Sequence, residues 1–143
     1  MKTRKANARW QGTLKEGKGT LKLNSMEREL SYNFTSRFEE GDGTNPEELI
    51  AAAHSGCFSM ALSGLIAEEG FDPESIETEA NVTIEAENGG FSITGSKLKL
   101  NAKIPGIGDE LFQQLAEKAK ANCPVSKALG SINITLEANL VED

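Results

Sequence analysis

One histidine, one tryptophan and two cysteines are all this chain has of the residue types that most often carry chemistry, and that scarcity excludes several functions. Two cysteines without a Cys-x-x-Cys pair disfavour a general disulfide oxidoreductase. His54 and Cys57 have no further Cys or His close in sequence, so a metal site would need Cys123 as its third ligand. Basic charge is also short: 15 Lys plus Arg against 22 Asp plus Glu leave a net charge of -7, which gives no electrostatic footprint for nucleic acid or an anionic membrane. Met1-Lys2-Thr3-Arg4-Lys5-Ala6-Asn7 begins basic but lacks the apolar stretch and cleavage site of a secretory signal, so the expected location is cytoplasmic. Thiols there stay reduced unless a reaction oxidises them. Repeats, linkers and low-complexity tracts are missing too, and residues 1–143 are read as a single domain.

Charge is absent from one stretch altogether. Leu49 through Ala67 runs for nineteen residues without Asp, Glu, Lys or Arg, close to the ~20 that a transmembrane helix needs. Acidic pairs at both ends, Glu47-Glu48 and Glu68-Glu69, and the polar His54, Ser55, Ser59 and Ser63 inside it place it instead in the middle of a protein. Asn45 is a good N-cap, Pro46 suits the first helical position and Glu48 completes a capping-box pattern. Glu69-Gly70 followed by Pro73 ends the run, so a helix is expected from about 46 to 69. Small residues at 52 and 56, with serines at 55, 59 and 63, fall in rows at i, i+4 spacing. A close neighbour, such as another helix, fits that row.

The remainder reads as strands and two shorter helices. Residues 6–14 and 19–24 alternate around a glycine-containing turn, a third strand runs from Leu30 to Thr35, and the stretch ending at Thr44 reads as loop. Residues 75–86 alternate, then Glu87-Asn88-Gly89-Gly90 turns into strands at 91–94 and 97–104. An amphipathic helix is expected at about 108–121, a short one from Pro124 to about Leu129, and a closing strand at 132–140. The fold class is α+β, with antiparallel sheets packed around a long central apolar helix.

A thiol becomes a nucleophile only as thiolate. Cys123, just before Pro124, falls at or near a helix N-cap, where free N–H groups favour a negative sulfur. Cys57 sits mid-helix among Ala53, Phe58, Met60 and Ala61, and burial there raises its pKa, so it needs a cation. His54 lies one turn back, but a lone helix-buried histidine is more often a hydrogen-bonded core residue. Arg37, between the aromatics of Phe34-Thr35-Ser36-Arg37-Phe38, is the better candidate, because arginine stays charged when desolvated. Its bland alternative is a surface pairing with Glu39 or Glu40.

The stretches Phe34-Thr35-Ser36-Arg37-Phe38-Glu39, Gly43-Thr44-Asn45-Pro46-Glu47-Glu48-Leu49, Ala53-His54, Cys57-Phe58-Ser59-Met60 and Asn122-Cys123-Pro124-Val125-Ser126 together resemble the OsmC/Ohr family of bacterial thiol peroxidases. The resemblance spans the whole chain and is nearer the OsmC branch, through Ala53-His54 and Ser59-Met60. It implies that Cys57 is the peroxidatic cysteine, oxidised to a sulfenic acid, and that Cys123 resolves it as an intramolecular disulfide. It also implies that Arg37 activates the thiolate and orients the peroxide, while Glu47 holds the arginine. A dithiol or lipoylated protein would be the reductant; no metal, haem or other cofactor is implied. One departure is Ser55-Gly56, where many relatives have two alanines; the glycine costs roughly 1 kcal/mol of helix propensity.

Helix geometry adds a constraint. Glu47 precedes Cys57 by ten residues, about 15 Å along one helix axis, so either the preceding loop folds back or the pair serves a second subunit. The small-residue face and the family's dimeric habit favour an intertwined homodimer with two composite sites. The expected reaction is reduction of organic hydroperoxides, and less efficiently of hydrogen peroxide, in stress defence, with an apolar lining from Phe38, Phe58 and Met60. The alternative is a non-catalytic dimeric ligand-binding protein with Cys57 as core filler.

Overall fold

Gly19 shows how tightly the first sheet is assembled. The computed structural model describes residues 1–141; Glu142 and Asp143, the last positions of the expected domain, lie outside the described residues. The chain divides into two compact units, Met1–Leu49 and Ile50–Asp143. In the first, β1 (Ala6–Gln11), β2 (Lys18–Leu23) and β3 (Leu30–Tyr32) form an antiparallel sheet in that order. Gly19 stands opposite both Trp10 and Tyr32, whose rings are 5.4 Å apart. A Cβ at Gly19 would lie 2.5 Å from Tyr32 Cε1 and 2.7 Å from Trp10 Cε3, so only glycine lets the two rings meet there.

β3 is shorter than expected, and the segment after it is helix rather than strand and loop. Asn33 and Ser36 cap each other: Asn33 Oδ1 accepts from Ser36 N at 2.7 Å, and Asn33 N donates to Ser36 Oγ at 2.9 Å. This reciprocal cap starts α1 (Phe34–Phe38). A five-residue helix is too short to show periodicity, which is why the sequence reads as loop. Gly43, at φ +109°, then turns the chain so that Thr44 N reaches Ser31 O at 2.9 Å.

α2 (Pro46–Glu68) begins and ends within a residue of expectation. Asn45 Oδ1 accepts from Glu48 N at 2.7 Å, as an N-cap should, while the Glu48 carboxylate takes the Thr44 hydroxyl at 2.6 Å. By length and hydropathy α2 would pass for a membrane span. Its stripe His54, Phe58, Leu62 and Ile66 is fully buried at every fourth residue, however, and its apolar members join the core with Leu98, Leu100 and Phe112. The opposite face, with Ala52, Gly56, Met60 and Gly64, is exposed, Met60 by 79%.

In the second unit β4 (Ser75–Glu87), β5 (Gly90–Lys103) and β6 (Asn133–Leu140) form the other sheet. β5 is one strand where two were expected: Gly95 and Ser96 pair in register with Thr83 and Val82, and the irregularity is a register shift at Thr94, opposite Thr83/Ile84. One expectation is corrected. β4 and β5 are antiparallel, but β5 and β6 pair in parallel, so the sheet is mixed and the α+β class stands. Between them run α3 (Asp109–Asn122) and α4 (Pro124–Ala128), the crossover that a parallel pair requires.

Candidate active site

The four residues singled out from the sequence fall into two pairs, one in each unit. Arg37 and Glu47 form the first. The α1 cap presents Arg37, and Ser36 anchors the turn by donating from Oγ to Thr44 O at 2.8 Å while its carbonyl accepts from Asn45 Nδ2 at 2.9 Å. Nε and Nη2 of Arg37 then donate to Oε1 and Oε2 of Glu47, each at 3.0 Å. This fork-to-fork geometry is the strong form of an ion pair. It replaces the surface pairing with Glu39 or Glu40 that the sequence left open.

The guanidinium also stands 5.0 Å from the centre of the Phe38 ring, a cation–π distance. Phe34 and Phe38 pack at 5.0 Å. With Trp10 and Tyr32 these residues line a cavity of about 240 Å³ beside Arg37. Phe34 and Phe38 were visible as flanking aromatics; Trp10 and Tyr32 reach the cavity through strand pairing, which no local signal announces. Phe58 is fully buried in the core and Met60 is exposed, and neither is among the residues that line this cavity.

The thiols form the second pair. Cys57 is half-buried and Cys123 fully buried, both free, and they lie close enough for each to shift the other's pKa. Cys123 is the N-cap of α4, its sulfur accepting from Ser126 N at 3.3 Å with Ser126 Oγ at 3.4 Å. Burial pushes the Cys123 thiol up, yet the donors from the Ser126 hydroxyl, Cys57 and the Ser126 and Val125 backbone outweigh it, and its pKa is lowered overall. Cys57 goes the other way. Burial raises it, the Val125 N–H offsets only part, and the neighbouring Cys123 raises it further.

The lowering therefore falls on the sulfur that solvent does not reach, and a cation that would favour the Cys57 thiolate has to come from elsewhere. His54 is not that cation. Burial lowers its pKa, and its ring nitrogens bond Ser96 Oγ at 2.7 Å and Ser126 Oγ at 2.8 Å. Ser96 and Ser126 were missed as site residues; Ser126 lies within the quoted Cys-Pro-Val-Ser stretch, but nothing local marks Ser96. Among the described residues no group of three or more His, Cys, Asp or Glu is placed to hold a metal.

Known proteins share the sequence and the fold. A family model described as OsmC-like protein matches residues 39–137. Peroxiredoxin OsmC of Escherichia coli (strain K12) is 47% identical over 138 residues, 96% of each chain. An organic hydroperoxide resistance protein of Xanthomonas axonopodis pv. citri is 32% identical over 124 residues, 85% of each. The crystal structure of an organic hydroperoxide resistance protein from Elizabethkingia anophelis superposes with a TM-score of 0.73 at 33% identity, covering 99% of this chain and all of that one. With the family model matching residues 39–137 and a relative 47% identical along 96% of the chain, this chain belongs to the OsmC-like family.

Proposed function

We propose that this chain is a thiol-dependent peroxidase that reduces organic hydroperoxides to alcohols. The observation that carries the reading is the thiol pair: a half-exposed Cys57 within reach of a buried, capped Cys123. Cys57 attacks the O–O bond because a peroxide can reach it; the alcohol leaves and Cys57 keeps the second oxygen as a sulfenic acid. Cys123 then attacks the sulfenic sulfur, forming the disulfide and releasing water, and a dithiol or lipoylated protein restores both thiols.

Arg37, held by Glu47, supplies the positive charge that the raised Cys57 requires and polarises the leaving oxygen. The aromatic cavity beside Arg37 favours an organic peroxide over hydrogen peroxide, since an alkyl or aryl tail gains from such a lining. The active unit is a homodimer, with Arg37 and Glu47 of one subunit serving Cys57 of the other. The exposed apolar face of α2 supports this, and so does the ~15 Å that ten helical residues put between Glu47 and Cys57. The protein is soluble and cytoplasmic, with α2 helping to build the core.

Mass spectrometry after one equivalent of an organic hydroperoxide tests the cycle. The expected product is a species short of two hydrogens, with peptides containing Cys57 and Cys123 cross-linked. Cys57→Ser abolishes turnover, whereas Cys123→Ser permits one oxidation and stops. Unchanged turnover in the Cys57→Ser variant ends the proposal.

A further inference from the structure

The peroxidase cycle leaves His54 without a task, although it is fully buried beside the thiols. Its Nδ1 lies 2.7 Å from Ser96 Oγ on β5, and its Nε2 lies 2.8 Å from Ser126 Oγ on α4. Ser126 touches Cys123 through both its backbone N–H, at 3.3 Å, and its hydroxyl, at 3.4 Å. Ser96, His54, Ser126 and Cys123 thus form one buried row drawn from three elements of the second unit. No buried side-chain polar atom among the described residues lacks a partner.

Both His54 ring nitrogens meet hydroxyls, which donate and accept and so let the row reverse direction. With Nδ1–H donating to Ser96, the acceptor nitrogen Nε2 faces Ser126. The Ser126 hydroxyl then stands between a base and a thiol.

We propose that His54 is a positioning residue for the resolving step: held by Ser96, it takes the proton of the Cys123 thiol through the Ser126 hydroxyl and returns it to the departing hydroxide. This rests on the peroxidase reading, which supplies the sulfenic acid. As Cys123 Sγ attacks Cys57 Sγ, the S–S bond forms and the S–O bond breaks. Cys123 is oxidised, the sulfenic sulfur is reduced, and hydroxide leaves. The proton that passed to Nε2 comes back through Ser126 and completes a water molecule, leaving disulfide, water and neutral His54. Burial favours that return, because it disfavours the imidazolium.

The titratable group facing Cys123 from α2 is Cys57; β5 and α4 contribute the uncharged Ser96 and Ser126. The test therefore starts from a Cys57→Ser background, in which thiolate ultraviolet absorbance follows Cys123 alone and needs no reagent to enter. Adding Ser126→Ala should raise the titration midpoint by about one to two pH units, the size of a hydrogen bond to a charged group. His54→Gln should move it in the same direction, and Ser126→Thr, which restores the hydroxyl, should bring it back.

With both cysteines present, Ser126→Ala and His54→Gln should slow disulfide formation at least tenfold more than sulfenate formation, read by rapid mixing with an alkyl hydroperoxide. Circular dichroism checks the fold of each variant. Parental midpoints and parental disulfide rates in folded Ser126→Ala and His54→Gln overturn the proposal. A wild-type chain that makes no disulfide with hydroperoxide overturns the peroxidase reading itself, and the resolving step falls with it. The two failures are told apart by which measurement gives way.

Discussion

Arg37 and Glu47 share two parallel hydrogen bonds of 3.0 Å, yet the two ends differ in exposure: the Glu47 side chain keeps 7% of its surface and the Arg37 side chain 34%. Removing the arginine strands a nearly enclosed carboxylate, whereas removing the carboxylate frees an arginine that still reaches water. Arg37→Ala should therefore cost about 1–3 kcal/mol of stability, less than a fully enclosed pair because the guanidinium is partly solvated. Glu47→Gln should cost less than that. Turnover orders differently: both variants should lose roughly 10–100-fold, and Arg37→Lys should resemble Arg37→Ala because it keeps the charge but not the fork. Urea titration and initial rates with an alkyl hydroperoxide separate the two effects.

His54 is the sole histidine, and burial lowers its pKa below the ordinary 6.5. As pH falls, the unfolded chain takes up that proton before the folded chain does. The stability that His54 contributes is thus complete above about 6.5 and is lost as pH drops through the interval down to its folded pKa. Unfolding free energy should fall as pH drops below about 6.5, with a slope of at most about 1.4 kcal/mol per pH unit. In His54→Gln that stretch should be flat. A slope unchanged by the substitution would assign the effect to other groups.

Phe58 and Met60, two residues apart, should respond in opposite ways. Phe58 is fully buried, and Phe58→Ala should cost about 3–5 kcal/mol through the cavity it leaves. Met60 is 79% exposed, so Met60→Glu should leave the stability of an isolated chain within about 0.5 kcal/mol. If a second copy covers this face, sedimentation should show Met60→Glu shifted toward monomer and turnover falling with it. An unshifted profile would remove the dimer from the mechanism.

Gly43 and Gly56 make a second contrast. Gly43 has φ +109°, and a Cβ there would lie 2.6 Å from Ser31 O; Gly43→Ala should cost about 1–3 kcal/mol and loosen the turn that seats Arg37. Gly56 sits in a helix with nothing within 4 Å of an added Cβ. Gly56→Ala should stabilise an isolated chain by up to about 1 kcal/mol. Thermal unfolding of both variants at low protein concentration measures the pair.

The elements whose cause is local were legible in the sequence. The charge-free run with Asn45 before it gave α2 to within a residue, and the Cys-Pro pair gave the cap of α4. α1 was hidden because five residues cannot display a helical period and its cap is Asn33 with Ser36 rather than a Ser or Thr with a glutamate. The direction of β6 was hidden because apolar and polar residues alternate alike in parallel and antiparallel strands. At the site, the row from Ser96 to Cys123 joins residues 42 and 72 positions away from His54. Such distant partners meet only through the sheet and the crossover, so the sequence pointed to the two thiols and not to the imidazole and hydroxyls beside one of them.

The parallel pairing of β5 with β6 bears on the order of folding. The β4–β5 hairpin needs only neighbouring chain, whereas β6 pairs after about thirty residues of crossover have been threaded back. Loop-closure entropy places such non-local contacts late. Cys123 lies inside that crossover, and α3 is tied to β6 where Gln113 Nε2 donates to Ala138 O at 2.8 Å. During synthesis Cys57 emerges long before its partner can be seated. A newly made chain therefore carries its first thiol before the crossover that seats the second is complete.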